Sequence, residues 1–177
     1  MTPTSRTGDR RTDSGFTVLE TVIALSILLI VSLGIIPLGI VATTTTENQG
    51  HLMARTTEYA QDKVEQLLAL AYGDVTSDTR SFPAANTGGT GLTSPGGSSD
   101  PAAPVALYVD YLDINGTLIA STGTTAPSGW YYKRVWQIAS GGTNLKQVTV
   151  TAIVKSAVGS TGRIPRATVT SIKTYPF

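Results

Sequence analysis

The chain has 177 residues, no cysteine, one histidine and a formal net charge of +1 at pH 7. Without cysteine there is no disulfide framework and no thiolate nucleophile or metal ligand, and the lone His51 leaves little for zinc or triad chemistry. The length accommodates one membrane segment plus one domain of about 100 residues. Near-neutral charge gives the whole chain no strong electrostatic preference, but the distribution is uneven. From Val105 onward seven bases (Lys133, Arg134, Lys146, Lys155, Arg163, Arg166, Lys173) face two acids, Asp110 and Asp113.

The first 15 residues are polar and carry Arg6, Arg10 and Arg11 against Asp9 and Asp13. Phe16 then opens a run of 27 residues to Ala42 whose only charge is Glu20. A bilayer core needs about 20 apolar residues as helix, so the run can span. A removable signal peptide would have an apolar core of about 7–15 residues and a small-residue cleavage site. This run is longer, and no such site follows within it. The positive excess of the leader favours a cytoplasmic N-terminus, which puts everything after Ala42 outside the cytoplasm.

Glu20 needs a reason. A carboxylate at the centre of a spanning helix costs about 2.5–3.5 kcal/mol on insertion scales, and less near the edge. It either sits at the interface, favouring the positive end of the helix dipole, or waits for a positive partner within an apolar assembly.

Gly15-Phe16-Thr17-Val18-Leu19-Glu20, with a basic leader before it and an apolar run after it, resembles the cleavage motif of type IV prepilins and type II secretion pseudopilins. The resemblance implies that a prepilin peptidase cuts after Gly15 and that the new amino terminus, Phe16, is methylated. Glu20 becomes the fifth mature residue, where the family carries its glutamate, and Pro37 the twenty-second, where many members carry proline. Methylation keeps the amine positive. In a stack of apolar helices Glu20 of one subunit can then pair with the Phe16 amine of its neighbour. Such a pair is weak evidence for added stability but can set register. Gly34, Pro37 and Gly39 weaken the helix. The resemblance implies local unwinding there in filaments, and a mild kink is the alternative.

Beyond the apolar run, Met53, Ala60, Val64, Leu67, Leu68 and Ala71 recur at helical spacing and draw one apolar face. Glu47, Arg55, Glu58, Asp62, Lys63 and Glu65 populate the rest, and Glu58, Asp62 and Glu65 read as a solvated face. Tyr72-Gly73-Asp74 supplies a stop. The predicted helix from Phe16 to Tyr72 would measure about 85 Å. His51 on it reads as an exposed helical histidine.

Residues 76–104 are rich in Gly, Ser, Thr, Pro and Ala and nearly lack large apolar groups, which predicts a mobile loop. Its glycines lack the phosphate-loop pattern. From Val105 the pattern changes to strands. Val105, Leu107, Val109 and Tyr111 alternate, Asp113-Ile114-Asn115-Gly116 forms a turn, and Thr117-Leu118-Ile119 continues as a hairpin. Asp110, Asp113 and Asn115 lack the glutamate-closed calcium-loop pattern and read as turn chemistry. Further strands are predicted over 130–138 and 146–155, joined by a turn at 141–144. The second of these places Val148, Val150, Ala152 and Val154 on one buried face. A last strand covers about 167–175, its alternation breaking near Ser171 as at a bulge.

These elements give an α+β chain: a leader (1–15), a transmembrane and filament-core half-helix (16–42), an amphipathic half-helix (43–73), a flexible loop (74–104) and an antiparallel sheet domain (105–177) packed on the helix. Glu58–Leu67 and the stretches YKRVW and LKQVTVTAIV are similar to PilV-like minor pilins and I-type pseudopilins. The paired cysteines that the family carries near its C-terminus are missing. The resemblance implies a structural filament subunit; with no cysteine, one histidine and no acids paired at useful spacing, no catalytic residue, cofactor or metal site is expected. Its partners would be other pilins or pseudopilins, the prepilin peptidase, an inner-membrane assembly platform and, before assembly, membrane lipid. The basic sheet domain also admits DNA capture by a competence-type pilus, whose affinity would fall with salt. Trp130, Tyr131, Tyr132 and Trp136 read as sheet packing.

Overall fold

In a computed structural model, the structure describes residues 17–119, 123–156 and 164–175. The order is α1 (Val18–Ala69), β1 (Gly96–Gly97), β2 (Val109–Leu112), β3 (Leu118–Ile119), β4 (Tyr132–Gly142), β5 (Leu145–Val154) and β6 (Arg166–Thr174). This is the predicted α+β architecture, with one long N-terminal helix and an antiparallel sheet of six strands. The helix ends at Ala69, three residues before the predicted stop. The chain divides into two units at Thr43/Thr44.

The first unit contributes residues 18–43 of α1, whose large apolar side chains point to solvent around the whole helix. The second unit holds the rest of α1 and the sheet. Here the helix buries Thr56, Tyr59, Ala60, Lys63, Val64 and Leu67. Those positions fall three, four and seven apart, one stripe of a 3.6-residue helix.

The strands run in the order β3-β2-β4-β5-β6, all antiparallel, and β1 pairs with β4 beyond the end of β2. The predicted alternation of β5 holds: Val148, Val150, Ala152 and Val154 are buried on the helix side. Ala60, Val64 and Leu67 of the helix meet Trp136, Ile138, Val148, Val150 and Ala152 in the main core. Tyr59 packs with Leu112, Tyr132 and Val154 in a second cluster. Fully burying one such aliphatic side chain contributes about 1.5–3 kcal/mol. On the opposite face Val109, Tyr111 and Val135 form a third cluster, with Trp130 against it.

The turns differ in detail from expectation. Asp113 Oδ1 accepts the backbone N–H groups of Asn115 and Thr117, both at 2.8 Å, closing the predicted hairpin. Gly116 adopts φ +85°, and any Cβ there would collide with the Tyr59 ring. The β4–β5 connection is tighter than the predicted four residues. Gly142 pairs with Leu145, leaving Thr143 and Asn144 as the loop, with Asn144 at φ 62°. The predicted irregularity at Ser171 does not occur. β6 pairs with β5 without interruption from Arg166 to Thr174, and its exposure alternates strictly. Ser171 simply takes an inward position and Ile172 an outward one. The register shift lies between Ser140 and Gly142 instead.

Residues 74–104, predicted as a mobile loop, follow a defined path set by short polar side chains. Asp74 Oδ1 accepts the N–H groups of Thr76 and Ser77, both at 3.0 Å, and Oδ2 accepts the Ser77 hydroxyl at 2.6 Å. Asp78 grips Arg80 through both oxygens, at 2.9 and 2.7 Å, and bridges to Ala85 through the backbone. Leu92, one of the few large apolar residues here, is fully buried in the main core. Asx turns of this kind satisfy backbone donors without a hydrophobic contribution.

Candidate assembly segment and the clamp beneath the sheet

Thr17, Val18, Leu19 and Glu20 form the start of α1. Thr17 is the cap: its Oγ1 accepts the Glu20 N–H at 3.3 Å and its carbonyl accepts the Thr21 N–H at 3.1 Å. Glu20 thus occupies the third helical position of a Thr-x-x-Glu capping pattern. It lies in the first turn, where a carboxylate is favoured by the helix dipole. Sequence reading noted the dipole but missed Thr17, although the spacing was legible. Gly15 and Phe16 lie outside the described residues.

Downstream, an 18-residue window of α1 has mean hydropathy 2.7 and none of it is buried. Leu19, Ile30 and Leu38 are 70%, 69% and 72% exposed. A helix apolar on every side calls for lipid or other apolar helices as surroundings. Several hydroxyls along this part of the helix bond its own backbone carbonyls. Thr21 donates to the Val18 carbonyl at 2.8 Å, Ser26 to Val22 at 2.8 Å and Thr43 to Gly39 at 2.6 Å. Gly34, Pro37 and Gly39 all lie within the continuous helix, so the predicted weak point is helical in this state. Pro37 has no N–H for the Leu33 carbonyl, and nothing lies within 4 Å of where a Cβ on Gly34 or Gly39 would stand.

In the second unit the charged residues do something the sequence did not show. Lys63, predicted among the outward-facing polar positions, is 1% exposed. Its Nζ donates to Asp110 Oδ2 at 2.8 Å and to the Thr79 carbonyl, and lies 4.3 Å from the centre of the Trp136 ring. Asp110, predicted as turn chemistry, is 2% exposed and also receives Arg134, whose Nε and Nη2 lie 2.8 and 2.9 Å from its two oxygens. Arg134 is buried as well, and its Nη1 reaches Asp62 Oδ2 at 3.0 Å. Asp62 stays on the exposed face expected of it, its side chain 53% exposed, and reaches in to Arg134 from there. Glu58 pairs with Arg55 at 3.4 Å, both side chains more than half exposed.

The four groups carry two positive and two negative charges. Burial pushes the Asp110 carboxyl up, but Lys63 and Arg134 more than offset it and hold the carboxyl below the ordinary carboxylate range. Burial pulls the Lys63 ammonium below its usual value. With the carboxylate fully engaged, the cluster is a clamp joining α1, β2, β4 and the 74–92 segment. Removing one partner of such a cluster leaves an uncompensated buried charge.

Other bases of the sheet domain also have internal acceptors. Lys173 donates to the Leu68 carbonyl at 2.6 Å, and Lys146 to the carbonyls of Tyr72 and Leu92, each at 2.7 Å. The last turn of α1 has no base of its own, so the sheet supplies the cations that its carbonyl end favours. Of the predicted aromatic group, Tyr132 and Trp136 are buried while Trp130 and Tyr131 are half-buried. Among the described residues no three of His, Asp or Glu are grouped to hold a metal ion, and His51 is exposed on the helix.

Residues 10–36 match the family model of the prokaryotic N-terminal methylation motif. No curated protein matches the chain, and no solved structure does. Residues 10–36 therefore carry a type IV pilin-like prepilin signal, which indicates a substrate of prepilin processing. The match runs from Arg10 near the end of the leader, through Glu20, to Ile36 within the exposed helix.

Proposed function

We propose that the protein is a structural subunit, a minor pilin, of a type IV pilus or related filament. The observation that carries this reading is the methylation motif running directly into a helix apolar on all sides, with one carboxylate in its first turn. In this scheme residues 1–15 are a leader removed after Gly15, and Phe16 is methylated. Residues 16–42 sit in the inner membrane with the leader side cytoplasmic and then move into the filament core. Residues 43–73 join this helix to the sheet domain, which lies beyond the membrane.

Glu20 is the register group. Among the described residues no ion pair to its carboxylate is formed, and the amine created at Phe16 is the cation that a stacked neighbour would bring. An unpaired charge in an apolar stack is costly, so a wrong offset between subunits is disfavoured. Gly34, Pro37 and Gly39 mark where the helix opens if the filament stretches. A pseudopilin of a type II secretion system would use the same segment in the same way.

Mass spectrometry of the protein isolated from its membrane tests the scheme. The expected N-terminus is methylated Phe16. An N-terminus at Met1, in a chain that stays membrane-bound and unassembled, would overturn it.

A further inference from the structure

On the sheet face turned away from the helix, three bases stand close together. Lys133, Ile153 and Arg166 are abreast on β4, β5 and β6. Lys155 follows two residues after Ile153, hence on the same face, and its N–H bonds the Tyr131 carbonyl at 2.7 Å. Lys133 and Lys155 lie 5.9 and 5.5 Å from the centre of the Trp130 ring. A groove of about 310 Å³ runs between Lys133, Ile153, Ile164 and Arg166 on one side and Asp100–Ala102 on the other. Lys133 donates to the Pro101 carbonyl at 2.6 Å and Arg166 to the Ser99 carbonyl at 3.4 Å. Carbonyl partners orient these cations without neutralising them, and Asp100 is the single acid in the groove.

The helix on the other side of the sheet presents the opposite charge. Glu58, Asp62 and Glu65 follow at helical spacing along an open groove of about 330 Å³ that also includes Tyr59 and Gly116. Arg55 faces Glu58 and Arg134 faces Asp62, while no ion pair to Glu65 is formed among the described residues.

We propose that the basic groove at Lys133 and Arg166, with Lys155 beside it near Trp130, receives the acidic helix face at Glu58 and Glu65 of a second copy of this chain. Charge complementarity chooses the occupant. Two different, complementary surfaces on opposite sides of one domain make a head-to-tail contact, which builds an open helical polymer when its rotation does not close into a ring. The Trp130 ring, with lysines over it and the Tyr111 ring 5.8 Å away edge-on, is less suited to stacking a nucleic acid base. The inference rests on the filament reading above. It does not rest on the minor-pilin part of that reading: copies of this chain would neighbour one another, as subunits scattered singly along a filament or placed at its tip would not.

The cysteine-free sequence allows a direct test. The full chain carrying both Glu65→Cys and Lys155→Cys is expressed with its own filament machinery and oxidised. A ladder of covalent multimers is expected, with neither single variant giving one. Separately, Lys155→Glu should lower incorporation about tenfold, equivalent to a like-charge penalty near 1.4 kcal/mol, and Glu65→Lys in the same chain should restore it. Filaments that form normally but never crosslink would overturn the contact while leaving the filament reading intact. Crosslinks only to a protein of different size would also overturn it, as would salt-sensitive binding of a labelled oligonucleotide that Lys155→Glu abolishes. A chain that forms no filaments at all would remove both readings.

Discussion

Lys63 and Asp110 meet at 2.8 Å with side chains only 1% and 2% exposed. The two residues are 47 positions apart, one on the helix and one on β2. Asp110→Ala leaves Lys63 and Arg134 in the interior without the carboxylate that both contact, while Asp62 still holds Arg134 from the surface. Breaking a buried pair this way costs about 3–5 kcal/mol. Urea unfolding of the full chain in detergent, followed by tryptophan emission, should show that loss, whereas Glu65→Gln on the exposed face should stay within about 0.5 kcal/mol of the parent.

The same carboxylate sets an acid limit. Its folded-state pKa is lowered, so its contribution is fully present above the unfolded value of about 3.9 and is lost as pH falls through the folded value. Two other carboxylates act in the same sense. Arg80 lowers Asp78, and at Asp74 burial is outweighed by hydrogen bonds from Ser77 and Thr76. Stability should therefore fall steeply below about pH 4, and Asp110→Asn should flatten that slope relative to the parent in an acid titration. An unchanged slope would show that Asp110 is not ionised in the fold.

Gly97 makes a sharper backbone test. It adopts φ +75°, and a Cβ there would run into the Trp136 carbonyl oxygen and the Tyr108 ring. Gly97→Ala should destabilise by more than about 1 kcal/mol through strain and collision together. Gly73→Ala, where no atom lies within 4 Å, should have little effect in the same denaturation experiment.

Two leucines on the same helix should behave in opposite ways. Leu67 is fully buried and Leu38 is 72% exposed. Leu67→Ala should cost about 2–5 kcal/mol of domain stability. Leu38→Ala should leave denaturation unchanged and alter only partitioning into membrane or filament.

Glu20→Ala should still insert in the membrane, because removing a carboxylate from an apolar segment lowers the cost of insertion. It should fail to enter filaments, as measured by the ratio of sheared to cell-bound protein. Normal incorporation would remove the register role.

Much of this chain could be read from its pattern, for physical reasons that particular residues show. Val148, Val150, Ala152 and Val154 alternate because a half-buried strand demands it, and the structure buries all four. The exposed helix was legible from its unbroken apolar run. Lys63 was misplaced because periodicity treats any charge as outward, and its partners arrive from β2 and the 74–92 segment, far away in sequence. The loop at 74–104 was read as mobile because it lacks large apolar residues. Its order comes from Asp74 and Asp78 turning back on their own backbone and from Leu92, a single anchor that composition averages hide. Ser171 suggested a bulge only because a small polar residue took an inward place.

The two tryptophans lie on opposite sides of one sheet. Trp136 is buried on the helix side under the Lys63 ammonium, while Trp130 sits half-buried beside Tyr111 on the other side with two lysines near its ring. The molecule thus carries two built-in fluorophores with different neighbours. Replacing either one with phenylalanine would yield a chain whose emission reports one face alone: Trp136 the closure of the clamp, Trp130 the arrival of anything that settles on the basic groove.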